Sequence, residues 1–210
     1  MRSKRAVTII FFWILLTAGA VYARHRLTPV GLREGDIIFQ TSLSAQSQAI
    51  QQATHSPYSH MGILLKTPKG LAVFEAASTV RFTRFDRWVR RGRHWKYVVK
   101  RLKNADAVLT KEALLKVHQS AEGLAGKPYD AAFEWSDDKV YCSELAWKIY
   151  QRALGIKIGA LAALKDFDLS SPVVKAKLEE RYHGKIPTNE KVISPQAMFE
   201  SDLLETVKLE

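Results

Sequence analysis

Three observations in this sequence predict an α+β domain. Short apolar runs with strand chemistry dominate the first half, and helix-period patterns dominate the second. The two do not alternate as they would around a parallel sheet. No internal repeat or linker-like stretch divides residues 24–210, so these form one domain. A chain of 210 residues, 47% apolar and 25% charged, with 11 Gly and 7 Pro, suffices for one buried core and is neither disordered nor collagen-like. A single cysteine excludes a disulfide framework and any multi-cysteine metal cluster.

The N-terminus comes first in chain order. Met1 to Arg5 carries three positive charges, and 18 uncharged residues follow from Ala6 to Ala23. Ala18-Gly19-Ala20 and Val21-Tyr22-Ala23 are small-residue cleavage patterns. Together they predict that residues 1–23 are a secretory signal peptide, with an N-terminal membrane anchor as the alternative. Either way the working part is exported, periplasmic or held on the outer side of a membrane.

Asp36 to Gln40 reads as a short apolar strand after Gly35, and Ser44 to Ala53 as a polar-faced helix. Ser59 to Lys66 and Leu71 to Ala76 are two strands joined by the turn Thr67-Pro68-Lys69-Gly70. Tyr97 to Leu102 is a further strand. Thr110 caps a helix with Leu114, Val117, Ala121 and Leu124 on one face, stopping at Gly126. A second helix runs from about Tyr141 to Leu154 and stops at Gly155. Ser171-Pro172 and Ser194-Pro195 each place a cap before a first-turn proline and open two more helices.

The net charge of +11 is unevenly spread. Residues 81–103 hold ten Lys/Arg and one acid, Asp86; setting their +9 and the leader's +3 aside leaves −1 for the remainder. A nearly neutral exported domain with one basic stripe does not have nucleic acid as its expected partner. Phe82, Phe85, Trp88, Trp95 and Tyr97 interleave with the cations. That composition suits the anionic headgroups of a membrane surface or anionic wall polymers, or else a solvated amphipathic helix and edge strand whose Arg stems cover apolar surface.

Cys142 is the first candidate for chemistry. Leu145, Ala146, Ile149 and Ala153 continue its helical face, and its first-turn position places the sulfur near unpaired backbone N–H groups. Such a position favours the thiolate, the nucleophilic form; the alternative is a small buried hydrophobe. Of six histidines, His60 opens an apolar strand that fixes its ring, as general-base geometry requires. His118 is expected to face outward on its helix. If Thr67 and Gly70 close a four-residue turn, His60 opposes Ala77 and Glu75 is its diagonal neighbour; a shift of two residues makes them directly opposite. An acid among Val73, Phe74, Ala76 and Ala77 calls for a partner, and a carboxylate beside an imidazole orients it. There is no HExxH and no Cys pair, and His25, His55 and His94 lack ligand spacing, so no metal and no cofactor is expected.

These residues resemble a known family. GDIIFQ at 35–40, YSHMGILL at 58–65 and VFEA at 73–76 are similar to the core of NlpC-like papain-fold cysteine hydrolases. GKPYD at 126–130 and YCSELAWK at 141–148 resemble that family's tyrosine loop and nucleophile helix. The order His, Glu, Cys is that of the circularly permuted branch, and within it the chain resembles YiiX-type proteins over residues 30–205. The resemblance implies a circularly permuted papain-like (NlpC-like) fold: a small antiparallel sheet with the nucleophile helix packed against it. It implies Cys142 as nucleophile, His60 as base and Glu75 as the group orienting His60. Tyr129 matches the family's tyrosine, for substrate or oxyanion binding, and the Cys142 N–H would be a second oxyanion donor. Where the parent family has Asp before its Cys and Gly two residues after, this chain has Tyr141 and Glu144. They are candidate substrate-binding positions with contacts of their own.

Two functions follow. One is a cell-envelope cysteine hydrolase, an amidase, peptidase or acyl hydrolase acting on a peptide or acylated substrate through a thioacyl intermediate. The other is an envelope module that binds lipid or peptide without turnover.

Overall fold

The structure is a computed structural model that describes residues 31–209; the expected leader lies outside these residues. Strands β1 (Ile37–Gln40), β2 (His60–Thr67), β3 (Gly70–Ala76), β4 (Val80–Arg84) and β5 (Val98–Leu102) come early. Short β6 (Ala162–Ala163) and β7 (Lys191–Val192) and the final β8 (Leu204–Leu209) come late. The helices are α1 (Ser47–Thr54), α2 (Phe85–Val89), α3 (Ala105–Val108), α4 (Lys111–Glu122), α5 (Cys142–Leu154), α6 (Pro172–Tyr182) and α7 (Pro195–Phe199). Six strands form one antiparallel sheet in the order β4-β3-β2-β1-β5-β8, and β6 pairs with β7 apart from it.

Both faces of the sheet are covered. Ile37, Phe39, Met61, Ile63 and Phe74 pack toward Leu145 and Ile149 of α5 in the larger core. Ile38, Leu64, Val73 and Val99 pack under Phe85, Trp88 and Tyr97 in the smaller one. Double coverage explains why β1 and β2 read as continuous apolar runs rather than alternating ones. Asp36, ahead of β1, is buried and takes the Arg101 guanidinium on both oxygens at 2.6 and 2.8 Å and the Arg33 N–H at 2.7 Å. A buried carboxylate paired in this way ties the start of β1 to β5.

The caps lie where local chemistry places them. The hydroxyls of Thr110, Ser171 and Ser194 accept from the N–H groups of Ala113, Val174 and Ala197 at 3.2, 3.2 and 3.0 Å. Gly155 ends α5 at φ +70. The helix expected to stop at Gly126 ends at Gly123; Gly126, at φ +78, makes the next turn and donates to the Val80 carbonyl.

Four expectations need correction. β4 and β8 were not anticipated, and the amphipathic helix weighed for the basic stretch is only the short α2. Only Leu204 of β8 is buried, so this edge strand carries little alternation for a pattern to reveal. Residues 81–103 are not one continuous surface: Phe85, Trp88 and Tyr97 are core residues, Phe82 packs its ring 4.8 Å from Phe74, and Trp95 is exposed. His118 does not simply face solvent, because its Nε2 meets Glu34 Oε1 at 2.7 Å. Finally, α5 buries more than one stripe: every residue from Cys142 to Tyr150 is buried. Lys148 is neutralised inside by Glu144 at 2.7 Å and Asp137 at 2.9 Å, and the Ser143 hydroxyl donates to the Ile193 carbonyl at 2.8 Å.

Candidate active site

The tight turn between β2 and β3 pairs Thr67 with Gly70 and Ile63 with Phe74. This is the unslipped register, which leaves Glu75 diagonal to His60 on the same face of the sheet. The two meet there, His60 Nε2 to Glu75 Oε2 at 2.6 Å. Gly62 makes the approach possible. A Cβ at that position would lie 2.5 Å from Val73 Cγ1 and 2.8 Å from the Phe74 carbonyl oxygen, so only a bare backbone lets β3 lie this close.

Glu75 has no exposed surface, yet both oxygens are satisfied. Oε1 accepts from the Thr83 hydroxyl at 2.6 Å and from the Arg91 guanidinium, while Oε2 faces His60. Trp88 stacks on the His60 ring with centroids 5.8 Å apart. Burial alone would push the Glu75 carboxyl up. Its hydrogen bond and charge contact with His60, with Thr83 and Arg91 behind them, instead hold it near about 2. Burial likewise opposes a charged His60, but hydrogen bonds to Cys142 and Glu75 and the attraction of both groups raise it to about 9.

Cys142 begins α5 and is 3% exposed. Cys142 is one of the two neighbours whose hydrogen bonding and charge raise His60. Because Glu75 occupies Nε2, Nδ1 is the ring nitrogen left for the sulfur. The first intrahelical bond of α5 runs from Leu145 N to Tyr141 O, so the Cys142 N–H lies in the unpaired first turn.

Tyr129 stands beside this pair. A chain of contacts sets its proton: the Arg181 guanidinium donates to Gln46 Oε1 at 2.5 Å, and Gln46 Nε2 donates to Tyr129 Oη at 2.6 Å. A guanidinium has no acceptor, so the Gln46 amide has one permitted orientation and Tyr129 is left to donate its own O–H elsewhere. Burial, reinforced by the Cys142 charge, pushes the phenol well above its ordinary value and keeps that proton in place.

Of the remaining candidates, Tyr141 is buried, and its hydroxyl accepts from the Ile193 N–H at 3.0 Å while its ring borders the apolar cavity below Cys142. Glu144, read above as a substrate contact, lines neither cavity. Its carboxylate accepts from the Tyr141 N–H at 3.2 Å and pairs with Lys148 inside the protein. Burial raises it to about 7 despite Lys148. Thr83, Arg91, Gln46 and Arg181 were not recognised from sequence. Thr83 had a faint signal in the alternation of β4, whereas Gln46 and Arg181 lie 135 positions apart and had none.

Two hollows meet at the site. A cleft of about 740 Å³ is lined by His60, Gln46, Arg90 and Arg91. A smaller cavity of about 80 Å³ is walled by Cys142, Ile50, Phe133, Leu164, Val174 and Leu178. Tyr129, Lys177 and Arg181 border both.

The chain is 51% identical over 176 residues to the uncharacterized protein YiiX of Escherichia coli strain K12, covering 84% of this chain and 86% of that one. Its fold matches a crystal structure of yiiX from E. coli O157:H7 with a TM-score of 0.81 and 50% identity, over 85% of this chain and 97% of that one. That relative is described as a metalloprotein. Among the described residues of this chain, no three His, Cys, Asp or Glu side chains are grouped to hold a metal ion. Residues 31–208 match the permuted papain-like amidase family of YaeF and YiiX. The chain therefore belongs to that family, C92, and is a cysteine peptidase- or amidase-like hydrolase with the permuted papain-like fold.

Proposed function

We propose that the protein is a cell-envelope hydrolase that cleaves an amide or ester through a Cys142 thioacyl intermediate. The observation carrying this reading is the buried His60 ring, held by Glu75 at 2.6 Å, with Cys142 at the head of α5 as the other neighbour that raises it. The Cys142 sulfur, its proton already held by His60, attacks the substrate carbonyl carbon. The oxyanion is met by the Cys142 N–H and the Tyr129 O–H. His60 then gives the proton to the leaving nitrogen or oxygen, the carbon–heteroatom bond breaks, and a thioester remains on Cys142. Water, deprotonated by His60, attacks the thioester and releases a carboxylic acid and the thiol. Glu75 keeps its charge throughout and stabilises the imidazolium.

The apolar cavity on the Cys142 side supports an aliphatic group on the carbonyl half of the substrate, while the cleft on the His60 side suits a polar leaving group. An acylated envelope component fits this division better than a purely polar peptide. The export signal expected at the N-terminus agrees with an envelope setting.

Mass spectrometry of the protein incubated with p-nitrophenyl esters of increasing chain length tests the reading. An acyl adduct on Cys142, formed faster with medium-chain than with acetyl ester and absent in Cys142→Ala, is the expected result. No adduct and no nitrophenol release across the series would reject turnover and favour the binding module.

A further inference from the structure

Beyond the reaction itself, one edge of the cleft has features that catalysis does not use. Residues 41–43 and 91–93 are laced together: Leu43 N donates to the Arg91 carbonyl at 3.2 Å, Arg93 N donates to the Thr41 carbonyl at 2.8 Å, and Ser42 bridges Gly92. Two large apolar side chains project from this platform, Leu43 at 67% and Trp95 at 66% exposure. Around them Arg90, Arg93 and Lys96 are exposed and form no ion pair among the described residues. No acid occurs between residues 87 and 103 to offset them.

The backbone here is unusual. His94 and Trp95 both lie in the left-handed region, at φ +55 and +58, which non-glycine residues avoid. The other aromatics of residues 81–103 are core residues or pack on Phe74, yet the chain accepts two adverse conformations in a row and leaves an indole in solvent. Strain of this kind persists where surrounding bonds hold it, as Arg93 N to Thr41 O and Trp95 N to Gly92 O do here, and it clusters at sites that bind or switch.

We propose that this rim, Leu43 with Arg90, Arg93, Trp95 and Lys96, docks on the surface of an anionic phospholipid bilayer. Charge alone would suit any polyanion. An exposed indole and a leucine within the cations specify an interface with both phosphate and acyl depth, where an indole lies at headgroup level and a leucine below it. Leu43 and Arg90 also line the cleft, so docking would bring the mouth of the site against the lipid. The inference stands whether or not the bound molecule is hydrolysed.

Hydrogen–deuterium exchange of the full chain in nanodiscs tests it, comparing phosphatidylcholine discs with discs that also contain phosphatidylglycerol. Amides of residues 43–45 and 93–96 are expected to exchange about ten-fold more slowly in the anionic discs, consistent with several basic groups at a charged surface. Both Arg93→Glu/Lys96→Glu and Trp95→Ala should abolish the difference, with turnover of a soluble ester unchanged. Equal exchange in the two discs would overturn the proposal, as would slowing elsewhere in the domain with none at the rim. Slowing by soluble polyphosphate that survives Trp95→Ala would overturn it in favour of an anionic polymer.

Discussion

At the scale of single residues, charge is held by placement. His60 is raised because two partners outweigh its burial, so its imidazole should titrate at about 9, read from ring-proton shifts by NMR. Cys142→Ser and Glu75→Gln should each bring it down toward its ordinary 6.5. Gln46 offers a sharper test of the Tyr129 proton. Gln46→Glu places an acceptor where the amide donates, turning the phenol O–H away from the substrate. Turnover should fall by about 10- to 100-fold, in keeping with loss of one oxyanion donor. In a Tyr129→Phe background the same change should cost little more, because the proton it diverts is gone. Independent losses in the two backgrounds would contradict the relay. Arg91 and Thr83 complete the Glu75 carboxylate, and the local sequence around Glu75 did not reveal them. It did show that a carboxylate within VFEAA needs partners; their identity came from a neighbouring strand and the loop beyond it.

At the scale of elements, a tight turn sets a register and the register joins two residues 15 positions apart. That turn was legible in Thr67-Pro68-Lys69-Gly70, and so was the diagonal placing of Glu75. Gly62 is where the hairpin is most constrained. Gly62→Ala forces a methyl to 2.5 Å from Val73 Cγ1 and should lower stability by about 1–3 kcal/mol, measured by urea denaturation. Catalysis should fall further than this if the His60–Glu75 contact is displaced. An unchanged midpoint would show that β3 can move aside freely. The helix caps were equally legible, since Ser or Thr before a first-turn proline or an apolar periodic run is a local device. β8 and β4 were not, because edge strands are defined by what they pair with. The full burial of α5 escaped notice for a related reason: the apolar stripe that begins at Cys142 marks one face, while the face of Glu144 and Lys148 is covered by segments distant in sequence, such as 135–137.

At the scale of the whole molecule, the ionised network couples stability to pH. Glu75 lies at about 2 in the folded chain against an ordinary 4.5, so its contribution is fully present above 4.5 and is lost as pH falls through about 2. His60 has the opposite sign. Its raised value contributes fully below 6.5 and is lost as pH rises through about 9. Thermal melts between pH 4.5 and 2 should therefore fall more steeply in the wild-type protein than in Glu75→Gln; parallel curves would contradict the buried charge. The same scale accounts for what composition could tell. The excess of +11 is real, yet folding divides the basic stretch into core aromatics, a paired Arg91 and a solvent-facing rim. No linear reading separates those three fates.

The account rests on Cys142 and His60 acting as one unit, and the single thiol gives that claim a direct measurement. Alkylation of Cys142 by iodoacetamide, followed across pH in wild type, His60→Ala and Glu75→Gln, requires no knowledge of the substrate. The account predicts that wild type keeps a substantial rate near about pH 6, that His60→Ala loses it by about ten-fold or more, and that Glu75→Gln falls between them. Three superimposable profiles, with the rate rising only as a free thiol would, would contradict a working thiol–imidazole pair.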